Sequence, residues 1–277
     1  MHTNWSKHAL NLPTIKNVVI LTDCTDIAFN EMRQTLLNEL DSFAIHDINI
    51  SPIVMINHFS VINAAFNIRL FSEIYPAEKT IFIVVVSGLN SNPERIFGKT
   101  KNGLTFVGNN SGYFNWLIQD VGIEYLYQNK TTREVNGNSF GGKYVQVPTA
   151  AKLIAGLPLD HLGVKKEEGF IRDFVIENGT VVHCDNFGLM KIKSNKLTHF
   201  CEGEKLRIFV NNIYKADGIY TEKMKSQKDN TWVLFTGSSL YGLPELGKVR
   251  SQNSAQELGV KVGDIISWEK AAYATAE

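Results

Sequence analysis

Ile81-Phe82-Ile83-Val84-Val85-Val86 is apolar at every position, and the fold reading starts from it. A half-exposed strand alternates apolar and polar residues. Six apolar residues in a row predict a strand covered on both faces, in the middle of a sheet. Upstream, Asn17–Thr22 (NVVILT) reads as a second buried strand, rich in β-branched residues. Between the two lie a helix over Ile27–Leu40, with Met32, Leu36, Leu37 and Leu40 on one face, and a strand candidate at Ile45–Ile50. A second helix is expected over Phe59–Phe71, where Val61, Ala64, Ala65, Ile68 and Phe71 recur at helical spacing. Alternating strands and helices predict a parallel α/β layer.

Downstream of Val86, Ser87–Asn102 reads as a Gly-, Asn- and Ser-rich loop. Gly103–Val107 and Glu124–Tyr127 read as strands around a helix at Tyr113–Ile118. Pro148–Ala155 reads as a helix with proline in its first turn and Gly156 as its stop. The character changes at His161–Gly169, which reads as a linker. Short β-rich runs then recur at Phe170–Ile176, Thr180–Cys184, Lys205–Val210 and Trp232–Thr236, predicting a small barrel or sandwich. The expected organisation is an α/β domain over 1–165 and a β domain over 166–277.

Charge and composition narrow the function. The chain has 28 basic and 28 acidic side chains, so its formal net charge is zero and argues against nucleic acid or an anionic membrane as the main partner. The longest apolar run is about six residues, far below the roughly 20 that span a bilayer. The N-terminal MHTNWSKHALNLPTIKN lacks the apolar core of a secretory signal. Cys24, Cys184 and Cys201 are three, widely spaced and without a CxxC, which predicts free thiols and a cytoplasmic location. His183, Cys184 and Asp185 are adjacent on a strand and alternate between its faces, so no metal is expected there. Gly137–Gly142 (GNSFGG) follows no strong strand and is weak as a phosphate loop.

Asp23 is the informative residue. It follows the first strand at its carboxyl end, where open parallel sheets bind their ligands, and a carboxylate there can accept from two vicinal ribose hydroxyls. The competing reading is a turn or helix-capping aspartate, although Asp26 stands closer to the helix start.

Five segments, in order, resemble the S-adenosylmethionine hydroxide adenosyltransferase and fluorinase-chlorinase family over roughly Asn17 to Trp268. Leu21-Thr22-Asp23 looks like its T-D-F-G strand end, and VGNNSGYF (107–114) like its A-P-D/N-N-G-L-L segment. SFGGKYVQVPTAAKLIAG (139–156) resembles F-H-G-R-D-x-F-A-P-x-A-A-x-L-A-x-G. VHCDNFG (182–188) resembles I-D-x-F-G-N, and ELGKVRSQNSAQELGVKVG (245–263), completed by Asp264, resembles the closing E-I-A-x-N-x-G-S-A-x-x-L-G-x-x-x-G-D. The resemblance implies an N-terminal α/β domain with a mostly parallel sheet and a C-terminal β-barrel. It also implies a homotrimer, with a nucleoside ligand held between the N-terminal domain of one subunit and the C-terminal domain of the next. The implied reaction displaces methionine from the 5′ carbon of S-adenosylmethionine by water or halide, with no cofactor. Asp23 falls at the ribose position and Phe59 near an aromatic that covers the ribose. Asp185 falls where the methionine amino group is held and Phe187 where a ring stacks on adenine. Ser238 and Ser239 lie near the serine for the methionine carboxylate, in a loop with extra residues here. Removing Asp23 is expected to weaken nucleoside binding and leave the fold nearly unchanged.

The departures concentrate on the chemistry. The family's water-activating Asp, after the central strand, corresponds to Val86, and its His to Gly141. Lys143 and Tyr144 stand for its next Arg and Asp, Leu189 for an adenine-contacting Asn, and Arg95 is displaced from a family Arg. The serine of halide-using members corresponds to Gly142. Valine and glycine neither accept a proton nor orient a water, so hydrolysis is expected to be slow or absent, and restoring both side chains is expected to raise a weak rate. The alternatives are a non-catalytic binding protein, or a site rebuilt around Arg95, Arg133, Lys143 or Tyr144.

Overall fold

The computed structural model describes residues 15–88, 94–130, 140–194, 197 and 199–271. The readings of residues 1–14, of half of the GNSFGG segment (137–139) and of Arg133 fall outside these residues. The chain forms two compact units, Met1–Phe174 and Val175–Glu277. Among the described residues no helix is long and apolar enough to cross a membrane.

The first unit holds β1 (Asn17–Thr22), α1 (Ile27–Ser42), β2 (Asn49–Ile50), β3 (Val54–Met55), α2 (Val61–Ile74) and β4 (Thr80–Val85). It continues with β5 (Arg95–Thr100), β6 (Thr105–Asn109), α3 (Asn115–Val121), β7 (Ile123–Asn129), α4 (Val147–Ile154), α5 (Leu159–Leu162) and β8 (Gly163–Lys166). The sheet runs β2-β1-β4-β6-β5-β7-β8, with β3 also on β1. Strands β2, β3, β4 and β6 join β1 in a parallel block, and β5, β7 and β8 add antiparallel pairs. The apolar run sits where its pattern demands. Ile81, Ile83 and Val85 pack with Met32, Leu36 and Leu40 of α1 and Val147, Ala150 and Ile154 of α4. Phe82 and Val84, on the opposite face, are equally buried.

Three expectations fail in an instructive way. Ser87–Asn102, read as a loop, contains β5, which pairs with β6 and β7. Phe170–Ile176 is not a strand, because side chains take over its backbone bonds. Asn110 donates from Nδ2 to the Phe170 carbonyl and accepts the Arg172 amide at Oδ1, both at 2.7 Å. Asn115 Nδ2 reaches Asp173 Oδ1 at 2.9 Å and the Phe174 carbonyl at 3.1 Å. The segment read as a linker contains β8, which pairs with β7. Gly163 permits that approach, since a Cβ there would lie 2.7 Å from the Gln128 carbonyl oxygen.

The second unit holds β9 (Thr180–Cys184), β10 (Met190–Lys193), β11 (Lys205–Val210), β12 (Ile213–Tyr220), β13 (Trp232–Thr236), β14 (Pro244–Lys248), α6 (Ser254–Leu258) and β15 (Ile266–Lys270). The sheet runs β15-β11-β12-β13-β14-β10-β9 and curls until its ends meet. Val181 N–H donates to the Asp264 carbonyl at 2.8 Å, and Ile266 N–H to that of Gly179 at 2.9 Å. Inside lie Val181, Met190, Ile192, Leu206, Ile208, Leu234, Leu246 and Ile266. One ion pair is set into this wall: Lys191 of β10 bonds Glu245 of β14, its cross-strand neighbour, and both side chains are largely buried.

Removing one partner of a buried ion pair strands the other charge. Glu245→Ala is expected to destabilise the second unit by about 3–5 kcal/mol, read by urea unfolding. The double change Lys191→Met, Glu245→Leu should recover most of that loss.

Candidate functional site

The site in the first unit is built on the carboxyl end of β1. Asp26 caps α1, accepting the Ala28 amide at 3.0 Å, so Asp23 is released from that duty. Asp23 is only 4% exposed. Its Oδ2 accepts the Phe59 amide at 2.9 Å, and its Oδ1 accepts the Ser87 amide at 2.9 Å and the Ser87 hydroxyl at 3.1 Å. One carboxylate thus ties together the ends of β1 and β4 and the turn that enters α2. The expectation that Asp23 can be removed without cost to the fold is corrected by these bonds.

Phe59 is held by that amide bond with φ at +58°, a region bulky residues seldom adopt, and its ring is 56% exposed. Such strain, of order 1–3 kcal/mol, is maintained here beside a buried carboxylate. Cys24 Sγ lies 3.7 Å from Asp23 Oδ1, and burial pushes its thiol up, so it stays protonated at neutral pH.

A second polar group occupies the same end of the sheet. Tyr113 is fully buried; its hydroxyl accepts the Asn109 amide at 2.5 Å and lies 3.5 Å from the Val84 carbonyl. Burial pushes its phenol up, with the Asp23 charge acting in the same direction and Arg95 opposing it. Arg95 and Asn109 are cross-strand neighbours, so their side chains share a face. Gln146 joins them, its Nε2 donating to Asn109 Oδ1 at 3.1 Å and to the Val84 carbonyl at 3.4 Å. Gln146 ends a π-helical turn, Gly142–Gln146, that leads into α4. Val86 is buried, and a Cβ at Gly141 would collide with the Arg95 guanidinium. Lys143 is taken by Glu31 of α1 at 2.9 Å and lies over the Tyr144 ring.

In the second unit, Asp185 and Phe187 form one turn between β9 and β10. Asp185 Oδ1 accepts the amides of Phe187 and Leu189, both at 2.9 Å, and the turn presents the Phe187 ring outward, 61% exposed. Gly188 is required at φ +75°, where a Cβ would collide with Asn253 and Ser254. Ser238, exposed, and Ser239, buried, lie in the loop between β13 and β14. That loop closes through Gly237 N–H on the Leu243 carbonyl at 2.9 Å, and winds left-handed through Leu240, Tyr241 and Gly242. The β10–β14 register puts the Asp185 turn at one end of the pair and the serine loop at the other, with Lys191 and Glu245 between them.

Residues 18–163, more than half of the chain, match the SAM hydroxide adenosyltransferase N-terminal domain. The chain belongs to the SAM hydroxide adenosyltransferase family. It is similar in fold to an uncharacterized conserved protein from Thermotoga maritima, with a TM-score of 0.76 and 21% identity over 91% of this chain and 100% of that one. A conserved hypothetical protein from Thermus thermophilus aligns with a TM-score of 0.68 and 17% identity, over 92% of this chain and 100% of that one. No curated protein matches.

The family resemblance implies one shared pocket for Asp23, Phe59, Asp185, Phe187, Ser238 and Ser239. Within each unit the structure puts Asp23 beside Phe59 and Asp185 in one turn with Phe187, with Ser238 and Ser239 at the other end of the β10–β14 pair. Sequence reasoning missed Ser87, Tyr113 and Gln146 as members of the first site. The only available signal for Ser87 was its place directly after the strongest strand.

Asp23→Ala leaves the Phe59 and Ser87 amides without their acceptor. It is expected to cost about 1–3 kcal/mol for each amide that water does not reach, measured as a shift in the urea midpoint at pH 7. An unchanged midpoint would show that these amides are satisfied otherwise.

Proposed function

We propose that this member of the SAM hydroxide adenosyltransferase family binds S-adenosylmethionine at the carboxyl end of its first sheet and converts it slowly, with water, to adenosine and methionine. The observation that carries the reading is the buried Asp23 carboxylate beside the exposed, left-handed Phe59. Of the roughly four acceptor sites of the carboxylate, the Phe59 amide takes one and the Ser87 amide and hydroxyl take two. The remaining site on Oδ2 suits one ribose hydroxyl, and turning the Ser87 hydroxyl off Oδ1 frees a second. The Phe59 ring then covers the sugar. In the second unit, Asp185 is assigned to the methionine amino group, Phe187 to adenine, and Ser238 and Ser239 to the carboxylate. Following the family resemblance, these come from a neighbouring copy in a cytoplasmic homotrimer, with no cofactor. In the reaction the water oxygen bonds to the 5′ carbon. The carbon–sulfur bond breaks with its electron pair moving to sulfur, and a proton leaves to solvent.

A non-catalytic binding protein is the second reading, and the apolar Val86 with the closed position at Gly141 favours it. Halide chemistry loses ground at Gly142, where a Cβ would stand 2.8 Å from both Met32 Sδ and Val85 Cγ1, so a serine there needs repacking.

Incubating the purified protein with S-adenosylmethionine and quantifying adenosine and methionine by chromatography tests the proposal. The expected rate lies above the blank but about 10²–10⁴-fold below that of a member with its general base intact. No adenosine at any enzyme concentration, with binding retained, would give the lead to the second reading. Because Arg95 fills the space at Gly141, Val86→Asp with Gly141→His is now expected to lower the rate rather than raise it. Light scattering should give a trimer mass, and a stable monomer would remove the shared site.

A further inference from the structure

Gln146 carries a buried polar atom for which the described residues offer no partner. It is 1% exposed, and its Oε1 has no hydrogen-bond donor. Its amide orientation is determined by its surroundings. The other end of the amide faces the Val84 carbonyl and Asn109 Oδ1, and a carbonyl can only accept, so that end must be the NH2. A buried acceptor left unsatisfied is costly, and such atoms in native proteins commonly mark a bound water.

The neighbourhood has the chemistry to hold one. Arg95 lies on the same face as Asn109, to which Gln146 is bonded, and its guanidinium packs against Gly141. Gly141 precedes and Gln146 ends a single π-helical turn, whose i→i+5 winding brings the two positions to nearly the same side. A guanidinium can only donate, and the Gln146 carbonyl can only accept. A water reaching both would be oriented at both ends, its oxygen receiving from Arg95 and one of its hydrogens going to Gln146 Oε1. In the family pattern the residue at the position of Gln146 is phenylalanine, so this acceptor belongs to this chain's own rebuilding of the site.

We propose that Gln146, with Arg95, holds the water that attacks the 5′ carbon, as a positioning pair in place of the side chains lost at Val86 and Gly141. This deepens the proposed function and rests on it. Neither group takes the proton, which passes to solvent, so the pair supplies orientation and not general-base catalysis. That agrees with a slow reaction.

Two measurements on the full-length protein test it. A crystal structure of the ligand-free protein, at a resolution that places waters, should show one within about 3.2 Å of Gln146 Oε1 with a second contact to the Arg95 guanidinium. No density there, or Oε1 turned onto a protein donor, overturns the inference and leaves the proposed function standing. Gln146→Leu keeps the volume and removes the acceptor. In the adenosine assay it should lower kcat by about 10²-fold with KM unchanged. A folded Gln146→Leu protein with wild-type kcat overturns the positioning role. If the water is present and the wild type makes no adenosine, the proposed function fails and so does the catalytic role of the pair, while the water site itself stands. If Gln146→Leu does not fold, the crystal structure alone decides.

Discussion

The first unit depends on one carboxylate. Asp23 is buried at the end of β1 and accepts from backbone groups 36 and 64 residues away in sequence. A charge so placed must be satisfied, because the interior gives back little of the hydration it loses. The Phe59 and Ser87 amides supply that satisfaction. In doing so they draw the turn before α2 and the exit from β4 to the same point. The parallel β1–β4 pair brings these ends together, with Thr22 beside Val85. Under the proposed function, folding and binding draw on one group: the residue assigned to the ribose also fixes the walls around it.

Around that anchor small residues and amides pack together. A glycine at 141 makes room for a guanidinium, and a π-turn brings Gln146 onto Asn109. Gly108 belongs to the same arrangement, since a Cβ there would lie 2.8 Å from the Tyr113 hydroxyl. Small residues in this layer admit polar groups that are otherwise too large for it. The tether at 170–174, bonded by Asn110 and Asn115, shows the same use of amides in place of strand pairing. The NNSGYFN segment (109–115) thus serves the core through Tyr113 and the tether through its asparagines.

Much of this architecture was legible in the sequence. Asn17–Thr22, Thr180–Cys184 and Trp232–Thr236 form strands over the residues their patterns predict, since a buried strand announces itself by composition and flanking turns. The place of Asp23 at the end of its strand was legible from its immediate neighbours, whereas Asp185 and Phe187 stood out only through the family resemblance. What was hidden is long-range. Nothing near Ser87 says that its amide will meet a side chain from β1. The π-turn at Gly142–Gln146 has no periodicity that distinguishes it from the helix it precedes. Phe170–Ile176 has the composition of a strand and lost that fate to two asparagines some 60 residues earlier.

A crystal structure of the protein grown with adenosine tests the central claim most directly. The account predicts the 2′ and 3′ hydroxyls within about 2.5–3.0 Å of the Asp23 oxygens, with the Phe59 and Ser87 amide bonds retained and the Phe59 ring against the sugar. A nucleoside bound elsewhere, with Asp23 bonded only to Phe59 and Ser87, would contradict it and return Asp23 to a purely structural role.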